Sequence, residues 1–388
     1  MKILFIGSRL FDDVDWYLKS EGITSIITES NENAANLDLA DKKYIVPRGM
    51  DEPMKIAIDE DVDAVIPLIG IDPPLIDVGA LKDKLEKDYN IPVIAASEMT
   101  ATIAADKYDT KQLLDKNNIK TPKYEKIEDK TNRENIYNNL PLVIKTPAGQ
   151  GGCGVKIALN SSDCDEFIDA NIDSDIFTEE YVEGYEASIE VLRYNNQTVP
   201  LVPVYKGVTT LKGVHPLAKI KQAPLNIAGI DNEKHNKKLQ NLAVKLAEMV
   251  DLSGTMDIDI LHDVNSENDY IIELNTRPSG TRYMTAASTN IYPLCQLVDM
   301  AKGQWDACDV KKSMKNYYAA ELPVGVVDDN KNPNIKYFKD ENCYVVHGPA
   351  NYQRVTLRAQ SKSKLTDLAY DVAYDYANEN DLDFKDEY

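Results

Sequence analysis

Four oxygen-bearing side chains lie on two neighbouring segments, and their spacing could hold a divalent cation. Asp257 and Asp259 lie in TMDIDIL, Glu273 and Asn275 lie in YIIELN, and a polar turn separates the two segments. Residues two apart on a strand share a face, so each pair points one way. An unpaired carboxylate in an otherwise apolar strand is costly, and oxygen ligands without His or Cys suit Mg²⁺. We predict a magnesium site and favour Asp259 over Asp257; a solvated polar face is the alternative.

A glycine-rich loop follows a strand that carries a lysine. The segment LPLVIKT contains Lys145 and runs into PAGQGGCG, with glycines at Gly149, Gly151, Gly152 and Gly154. Glycine lets backbone N–H groups approach an anion closely, and the lysine adds positive charge. A flexible hairpin of this kind suits covering a triphosphate, and it lacks the Gly-Lys-Ser/Thr of a P-loop. An ordinary loop is the less favoured alternative.

The acidic segment EEYVEGYE could connect two lobes around a nucleotide. Glu179, Glu180, Val182 and Glu186 lie in it. A carboxylate can accept the adenine amine, a backbone N–H can donate to the ring, and a later carboxylate can hold ribose hydroxyls. Taken alone, the segment is better explained as an acidic strand end at the surface.

Two arginines follow the carboxylates in a chain that has few of them. Arg277 and Arg282 lie five residues apart in NTRPSGTR. Arg277 is placed for a bidentate grip on a transferred phosphoryl group or an anionic substrate. A surface loop is the alternative, and it is more plausible for Arg282. The histidines and cysteines form no zinc-ligand or catalytic-triad pattern, so hydrolase chemistry is unsupported.

Short apolar runs alternate with helix-like segments at the beginning of the chain. These runs are KILFIG, ITSIITES, DAVIPLIG and IPVIAAS, the last covering residues 91–97. They predict a parallel α/β domain over residues 1–96. From Ser97 one helix-like segment carries Lys107 and continues to about residue 119. Lys145 and the glycines then lie in a hairpin. The segments TMDIDIL and YIIELN form an antiparallel pair of strands.

Composition excludes several classes of protein. The 388 residues include 43 Lys+Arg and 64 Asp+Glu, which gives a net charge of −21. Nucleic-acid and anionic-membrane surfaces need clustered cations, so neither partner is expected. The five cysteines are scattered and no apolar run approaches the length of a membrane span, which favours a cytoplasmic protein without disulfides.

Taken in chain order, these elements resemble the ATP-grasp superfamily. The order is Lys107, Lys145 before a glycine hairpin, EEYVEG, and D-x-D followed by ELNTRPSG. The combination is far more specific than any one part, and the resemblance covers nearly the whole chain. It is strongest to carbamoyl-phosphate-synthase-type ligases, a group that includes amino-acid ligases and the pyrrolysine-biosynthesis ligase. NTR stands where NPR is common, and the C-terminal 80 residues match less well.

The resemblance implies a role for each matching residue. Lys107 and Lys145 would contact ATP phosphates beneath the glycines. Glu179 would hold the adenine amine, and Glu186 would hold the ribose. Glu180 and Val182 would offer backbone contacts. Asp259, Glu273 and Asn275 would ligate Mg²⁺ or Mn²⁺, and Arg277 would contact the transferred phosphate.

The resemblance also implies a fold and a reaction. The fold is α/β, with a parallel domain at 1–96, grasp lobes at 97–178 and 179–309, and a C-terminal α+β extension at 310–388. The reaction is ATP-dependent joining of a small carboxylate and an amine through an acyl phosphate. Bicarbonate phosphorylation and a non-catalytic ATP sensor are the alternatives, and homodimers are usual in related ligases. Asp72, the 206–219 region and Arg282 are position-based guesses at substrate contacts.

Overall fold

The computed structural model describes residues 1–149, 152–213, 218–332 and 334–384. Its named strands form a parallel sheet of four strands, an antiparallel sheet of four and an antiparallel sheet of eight. The mixed α/β architecture predicted from the sequence is therefore present. Among the described residues, no helix is long and apolar enough to cross a membrane.

The parallel sheet is built from the first part of the chain in the order β3-β2-β1-β4. Its centre is fully buried because Ile3, Leu4 and Phe5 of β1 lie between helices on both faces. The elements are β1 (Lys2–Ile6), α1 (Asp15–Glu21), β2 (Thr24–Glu29), β3 (Lys42–Ile45), α2 (Asp51–Asp59), β4 (Ala64–Pro67) and α3 (Pro73–Lys84).

The strand predicted over residues 91–97 is wrong, since only one bridge forms there, between Val65 and Val93. Pro92 has no N–H to donate, and its carbonyl accepts from Val65. Ser97 then ends any extended pairing because its hydroxyl accepts from the Thr100 N–H and caps the next helix.

The single helix-like segment predicted from Ser97 is in fact two helices, α4 (Glu98–Ala105) and α5 (Lys107–Lys116). Asp106 separates them in an extended conformation, and its carboxylate accepts from the N–H groups of Tyr108 and Asp109. Such capping stabilises the start of a helix. The break makes Lys107 the first residue of α5, where its own N–H donates to the Pro147 carbonyl at 2.9 Å.

The small antiparallel sheet has the order β5-β8-β6-β7. β6 and β7 pair from Leu142↔Ala158 to Lys145↔Val155, so the predicted glycine hairpin joins two antiparallel strands. The elements are β5 (Tyr124–Lys126), α6 (Glu134–Tyr137), β6 (Leu142–Lys145), β7 (Val155–Ala158), α7 (Ser161–Ala170) and β8 (Phe177–Glu180).

The large antiparallel sheet has the order β13-β12-β9-β10-β11-β14-β16-β15. Strands from the last 80 residues thus continue the sheet that starts at residue 184, and the predicted domain boundaries stay predictions. The elements are β9 (Gly184–Tyr194), β10 (Gln197–Val208), β11 (Lys221–Ala223), α8 (Asn232–Met249), β12 (Gly254–Asp263), β13 (Asp269–Asn275), α9 (Arg282–Thr289), α10 (Pro293–Ala301), α11 (Ala307–Ser313), β14 (Tyr318–Gly325), β15 (Cys343–His347), β16 (Gln353–Ala359), α12 (Lys362–Val372) and α13 (Tyr374–Glu379).

The two faces of this sheet differ in chemistry because side chains alternate along each strand. Met256 and Ile258 of β12 are buried and pack against Leu246 of α8. Asp257 and Asp259 point to the other side. We call that side the acidic face; it carries Glu190, Asp257, Asp259, Glu273 and Asn275.

Candidate functional site

The strands β12 and β13 bring the predicted ligands Asp259, Glu273 and Asn275 together with Asp257 on the acidic face. Asp259 lies directly opposite Glu273, and Asp257 lies directly opposite Asn275. Residues directly opposite in an antiparallel pair share a face, with Cβ atoms about 4.5–5.5 Å apart. The structure therefore forms the cluster that the sequence predicted and supplies its register.

Lys206 of β10 also contacts this cluster. Its Nζ lies 2.5 Å from Asp259 Oδ1. Although burial favours the neutral amine, the charges of Asp259 and Asp257 raise the pKa of Lys206 above its ordinary value. The sequence identified the 206–219 region only as a guess at a substrate contact. The structure makes Lys206 the counter-ion of a predicted metal ligand, and residues 214–217 lie outside the described residues.

The donor set fits a hard divalent cation. It consists of carboxylate and amide oxygens, which Mg²⁺ prefers. Burial raises the pKa of Glu273 despite the opposing charge of Lys107. A cation between these side chains would stabilise the ionised carboxylates.

Three buried lysine ammonium groups lie beside the cluster. Lys107 Nζ lies 3.6 Å from Glu273 Oε1. Lys145 Nζ and Lys111 Nζ each lie 2.9 Å from Glu179 Oε1. Burial lowers the pKa of Lys111 to about 8, although the Glu179 charge opposes this. Three ammonium groups against two carboxylates leave a net positive charge that can receive phosphate oxygens.

Lys111 is a residue that the sequence analysis missed. It follows Lys107 by four positions on α5, a spacing that places both on one side of a helix. Its side chain is fully buried, and its ammonium also donates to the Thr121 hydroxyl at 2.7 Å. The i,i+4 spacing from Lys107 was the available signal. It was not enough, because Glu179, the carboxylate that Lys111 contacts, lies on a strand far away in the sequence.

The glycine hairpin lies over these lysines. Lys107 Nζ donates to the Gly149 carbonyl. Gly149 and Gly154 have positive φ, and a Cβ on either would clash, with the Cys153 carbonyl at 2.4 Å and the Thr146 hydroxyl at 2.1 Å respectively. The loop conformation therefore requires glycine at both positions. Gly152 also has positive φ, while Gly151 lies outside the described residues.

The EEYVEG segment joins the small sheet to the large one. The Glu179 carboxylate is 3% exposed and is directed at two lysines, so a contact with adenine through this side chain would require those ion pairs to open. The Glu180 N–H donates to the Lys123 carbonyl. Val182 lies in the link between β8 and β9. Glu186, the predicted ribose contact, pairs with Lys219 at 2.8 Å.

Arg277 joins the acidic face to the parallel domain. Its Nε lies 2.9 Å from Asp72 Oδ1, and its Nη2 lies 3.1 Å from Asn275 Oδ1. Two residues that the sequence identified separately, 205 positions apart, thus meet at the start of α3. Asp72 orients the guanidinium beside the predicted metal ligands.

Arg282 has a carboxylate partner of its own. Its Nε lies 2.6 Å from Asp13 Oδ2, and the Tyr283 hydroxyl donates to the other oxygen of Asp13. The side chains of Arg282 and Asp13 are 16% and 8% exposed. This ion pair joins the parallel domain to the start of α9. The predicted substrate contact of Arg282 would have to be made alongside it.

Two histidines that the sequence treated as incidental share one carboxylate. His235 Nε2 and His262 Nδ1 lie 2.8 Å and 2.9 Å from Asp269 Oδ1, and Lys238 lies 2.6 Å from Oδ2. This buried cluster joins α8 to the hairpin of β12 and β13. Since both Asp269 oxygens have partners, we interpret the cluster as structural.

Glu190 is a second acidic residue that the sequence analysis missed. It lies directly opposite Asp257 on β9 and is 1% exposed. Burial raises the pKa of Glu190 to about 8, and the like charge of Asp257 adds to the effect. The alternation of Glu186, Ser188 and Glu190 along β9 was a signal that they share a face.

The free energy of unfolding is expected to depend on pH through Glu190. A carboxyl group with a pKa near 8 in the folded chain and 4.5 ordinarily binds more protons when folded. Its stabilising contribution is present below pH 4.5 and is lost as pH rises to about 8. We expect the free energy of unfolding, measured with urea, to fall between pH 5 and pH 8 by on the order of 3 kcal/mol more in the wild type than in Glu190→Gln. Equal losses in the two proteins would contradict this.

Comparison with known proteins decides the family. The ATP-grasp domain family matches residues 104–281. A protein of Methanobrevibacter smithii named carbamoyl-phosphate synthase is 46% identical over 373 residues, which are 96% of this chain and 100% of that protein. The chain belongs to the ATP-grasp family. Members of this family are ATP-dependent ligases, so the predicted family and the predicted class of enzyme are confirmed.

Solved structures confirm the fold class of this ATP-grasp chain. An L-amino acid ligase from Bacillus licheniformis has a TM-score of 0.75 at 15% identity and covers 98% of this chain and 97% of its own. A second structure is the biotin carboxylase domain dimer of 2-oxoglutarate carboxylase from Hydrogenobacter thermophilus, in complex with MgADP, ADP and bicarbonate. It has a TM-score of 0.73 at 17% identity, and the match covers 97% of this chain and 90% of that chain. At these identities the likeness concerns the fold.

Proposed function

We propose that this ATP-grasp ligase phosphorylates a small carboxylate with ATP and joins the resulting acyl phosphate to an amine. The products would be an amide, ADP and phosphate. The observation that supports this best is that Lys107 lies 3.6 Å from Glu273, while Arg277 donates to Asn275, two residues further along the same strand. Phosphate-binding cations, metal-binding oxygens and an anion-binding guanidinium would then lie beside one another.

The lysines and the hairpin would hold the triphosphate. Lys107 and Lys145 are buried, so their interaction with phosphate oxygens would be only weakly screened by water. Glu179 would keep Lys145 in place while the glycine hairpin covers the phosphates. In-line phosphoryl transfer needs positioning and charge neutralisation more than an acid or base.

The acidic face would hold the metal. Mg²⁺ on Asp259, Glu273 and Asn275 would neutralise charge on the phosphate oxygens during transfer. Lys206 pairs with Asp259 and would keep the local charge balanced. The metal-ligand assignment rests on the chemistry of these oxygens and on their shared face.

Arg277 would hold the group that receives the phosphate. Asp72 fixes its Nε and Asn275 fixes one terminal nitrogen. The guanidinium has further N–H groups that can bind a carboxylate or the transferred phosphoryl group. The carboxylate would therefore lie between the metal ligands and the parallel domain.

Bicarbonate is a second candidate for the carboxylate. The observation that favours it is the name of the Methanobrevibacter smithii relative, carbamoyl-phosphate synthase, whose whole length matches. Phosphorylated bicarbonate captured by ammonia would give carbamate. An amino-acid-like carboxylate with a second amino acid is the first candidate. Both substrates would be small molecules; a homodimer and a cytoplasmic location stay predictions.

A coupled assay of ADP release separates these candidates. The full chain with Mg²⁺ and ATP is given bicarbonate with ammonium chloride, or pairs of amino acids, and products are weighed by mass spectrometry. We expect ADP release to depend on the carboxylate and to increase with the amine. ADP release that no carboxylate stimulates would contradict a ligase, and formation of AMP would contradict the acyl phosphate.

A further inference from the structure

Two carboxyl groups on the acidic face have no role in the proposed phosphoryl transfer. Glu190 on β9 and Asp257 on β12 lie directly opposite each other, and we call them the carboxyl pair. They are 1% and 6% exposed. Burial of two carboxyl groups side by side is costly unless their oxygens find partners.

Each member of the carboxyl pair has one oxygen without a hydrogen-bond partner, Oε2 of Glu190 and Oδ1 of Asp257. The other Glu190 oxygen, Oε1, accepts from the Thr255 hydroxyl at 3.0 Å and the Ser279 N–H at 3.3 Å. Those bonds hold the Glu190 carboxyl in place. The other two oxygens, one on each carboxyl group, are buried polar atoms without a partner.

The carboxyl pair lies one row of side chains beyond the predicted metal ligands. Asp257 is two residues from Asp259 on β12, a distance of about 7 Å along the strand. Lys107, which marks the phosphate side, contacts Glu273 in the row of Asp259. The pair is therefore on the side of the metal ligands away from Lys107. Arg277, which contacts both Asn275 and Asp72, links that side to the parallel domain. An amine held by the carboxyl pair would therefore lie beside the predicted metal ligands.

The chemistry of the carboxyl pair selects N–H donors. Neither carboxyl group carries a positive charge that would attract an anion. A second Mg²⁺ needs about six oxygen ligands, whereas two unpartnered oxygens remain here. A small amine or ammonium ion offers two or more N–H groups and at most one positive charge.

We propose that Glu190 and Asp257 form the binding site for the amine substrate, whose N–H groups donate to their two unpartnered oxygens. That the amine is a substrate rests on the proposed function, but its binding can be measured without turnover. The pair would recognise and position the nitrogen. As the nitrogen bonds to the acyl carbon, the bond from that carbon to the phosphate oxygen breaks, and phosphate leaves with one proton from the amine.

A binding titration on the full chain tests this site. The protein with Mg²⁺ and a non-hydrolysable ATP analogue is titrated with methylammonium chloride, and its Tm is recorded. Tetramethylammonium chloride, which has no N–H, serves as the matched salt. We expect methylammonium to raise the Tm of the wild type more than tetramethylammonium does. The half-saturating concentration should rise at least tenfold in Glu190→Gln and in Asp257→Asn.

The control and the contrary results are equally specific. Glu248→Gln is a matched acid-to-amide change at an exposed position of α8, behind the opposite face of the sheet, and should respond like the wild type. Equal responses of the wild type to both salts would overturn the proposal, as would unchanged responses of both pair variants. A Tm increase with MgCl₂ that Glu190→Gln abolishes would assign the pair to a metal and also overturn it. Should Glu190→Gln fail to fold, Asp257→Asn gives the result.

Failure of this inference is distinguishable from failure of the proposed function. Carboxylate-dependent ADP release together with salt responses that do not depend on Glu190 would leave the ligase and remove the amine site. Methylammonium binding that depends on Glu190, without carboxylate-dependent ADP release with any pair of compounds, would leave the amine site and remove the ligase.

Discussion

Replacing Glu273 by Gln is expected to lower the rate of ADP formation about a thousandfold or more. The change keeps the shape of the side chain and removes the charge that faces the predicted metal and the Lys107 ammonium at 3.6 Å. A metal contributes several kcal/mol of charge stabilisation in the transition state, and about 4 kcal/mol corresponds to a factor of about a thousand. Single-turnover measurement of ADP at saturating ATP and Mg²⁺ gives the rate directly.

A matched change in the same hairpin serves as the control. Glu267→Gln lies in the turn between β12 and β13 and is exposed, so it should retain wild-type turnover. Circular dichroism and Tm of Glu273→Gln should remain near those of the wild type, since Glu273 is only partly buried. Turnover of Glu273→Gln within tenfold of the wild type would remove Glu273 from the metal site.

Replacing Lys145 by Met is expected to reduce kcat/KM for ATP by roughly two to three orders of magnitude. Lys145 is 5% exposed and its ammonium lies 2.9 Å from Glu179 Oε1. Removing one positioned donor from a site that stabilises a developing anion costs about 2.7–4 kcal/mol of transition-state stabilisation. Initial rates of ADP release over a range of ATP concentrations measure the loss.

Two further variants show whether the loss is specific. Lys156→Met on β7 removes a lysine from the same hairpin whose side chain is 40% exposed, and it should leave kcat/KM unchanged. Lys111 remains beside Glu179 in Lys145→Met, so the Tm should fall only slightly. A kcat/KM near the wild-type value, or an equal loss in Lys156→Met, would contradict the phosphate role of Lys145.

The local parts of the site were predictable from the sequence. Asp257, Asp259, Glu273 and Asn275 could be placed on one face because strand side chains alternate and because a polar turn separates the two segments. The glycine hairpin was equally visible since its flanking strands are short and apolar. These features depend only on neighbouring residues.

Features that depend on distant partners were missed or wrong. Lys111 contacts Glu179, and Glu190 lies opposite Asp257. Both partners lie on elements that are distant in the sequence, so the roles of Lys111 and Glu190 could not be predicted locally. Asp106 ends α4 because its side chain caps α5, while a periodic pattern continues through it. The strand expected at 91–97 had the right composition, but Pro92 cannot donate to a ladder.

The C-terminal region shows the same limit. Its strands were expected near 317–327 and 341–349, and the structure has β14 and β15 there. β14 pairs with β11 through Lys221↔Glu321 and so extends the sheet that carries the site. Nothing in the local sequence predicts that join, because it is made across 100 positions.

Transfer of labelled oxygen tests the central claim most directly. A carboxylate labelled with ¹⁸O, bicarbonate or the amino acid that stimulates ADP release, is incubated with the chain, Mg²⁺, ATP and the amine. An acyl phosphate forms through a carboxylate oxygen, and that oxygen leaves with the phosphate when the amine attacks. We predict one ¹⁸O atom in the released phosphate for each ADP formed. Unlabelled phosphate from a carboxylate-dependent reaction would contradict the acyl phosphate, and with it the account of this site.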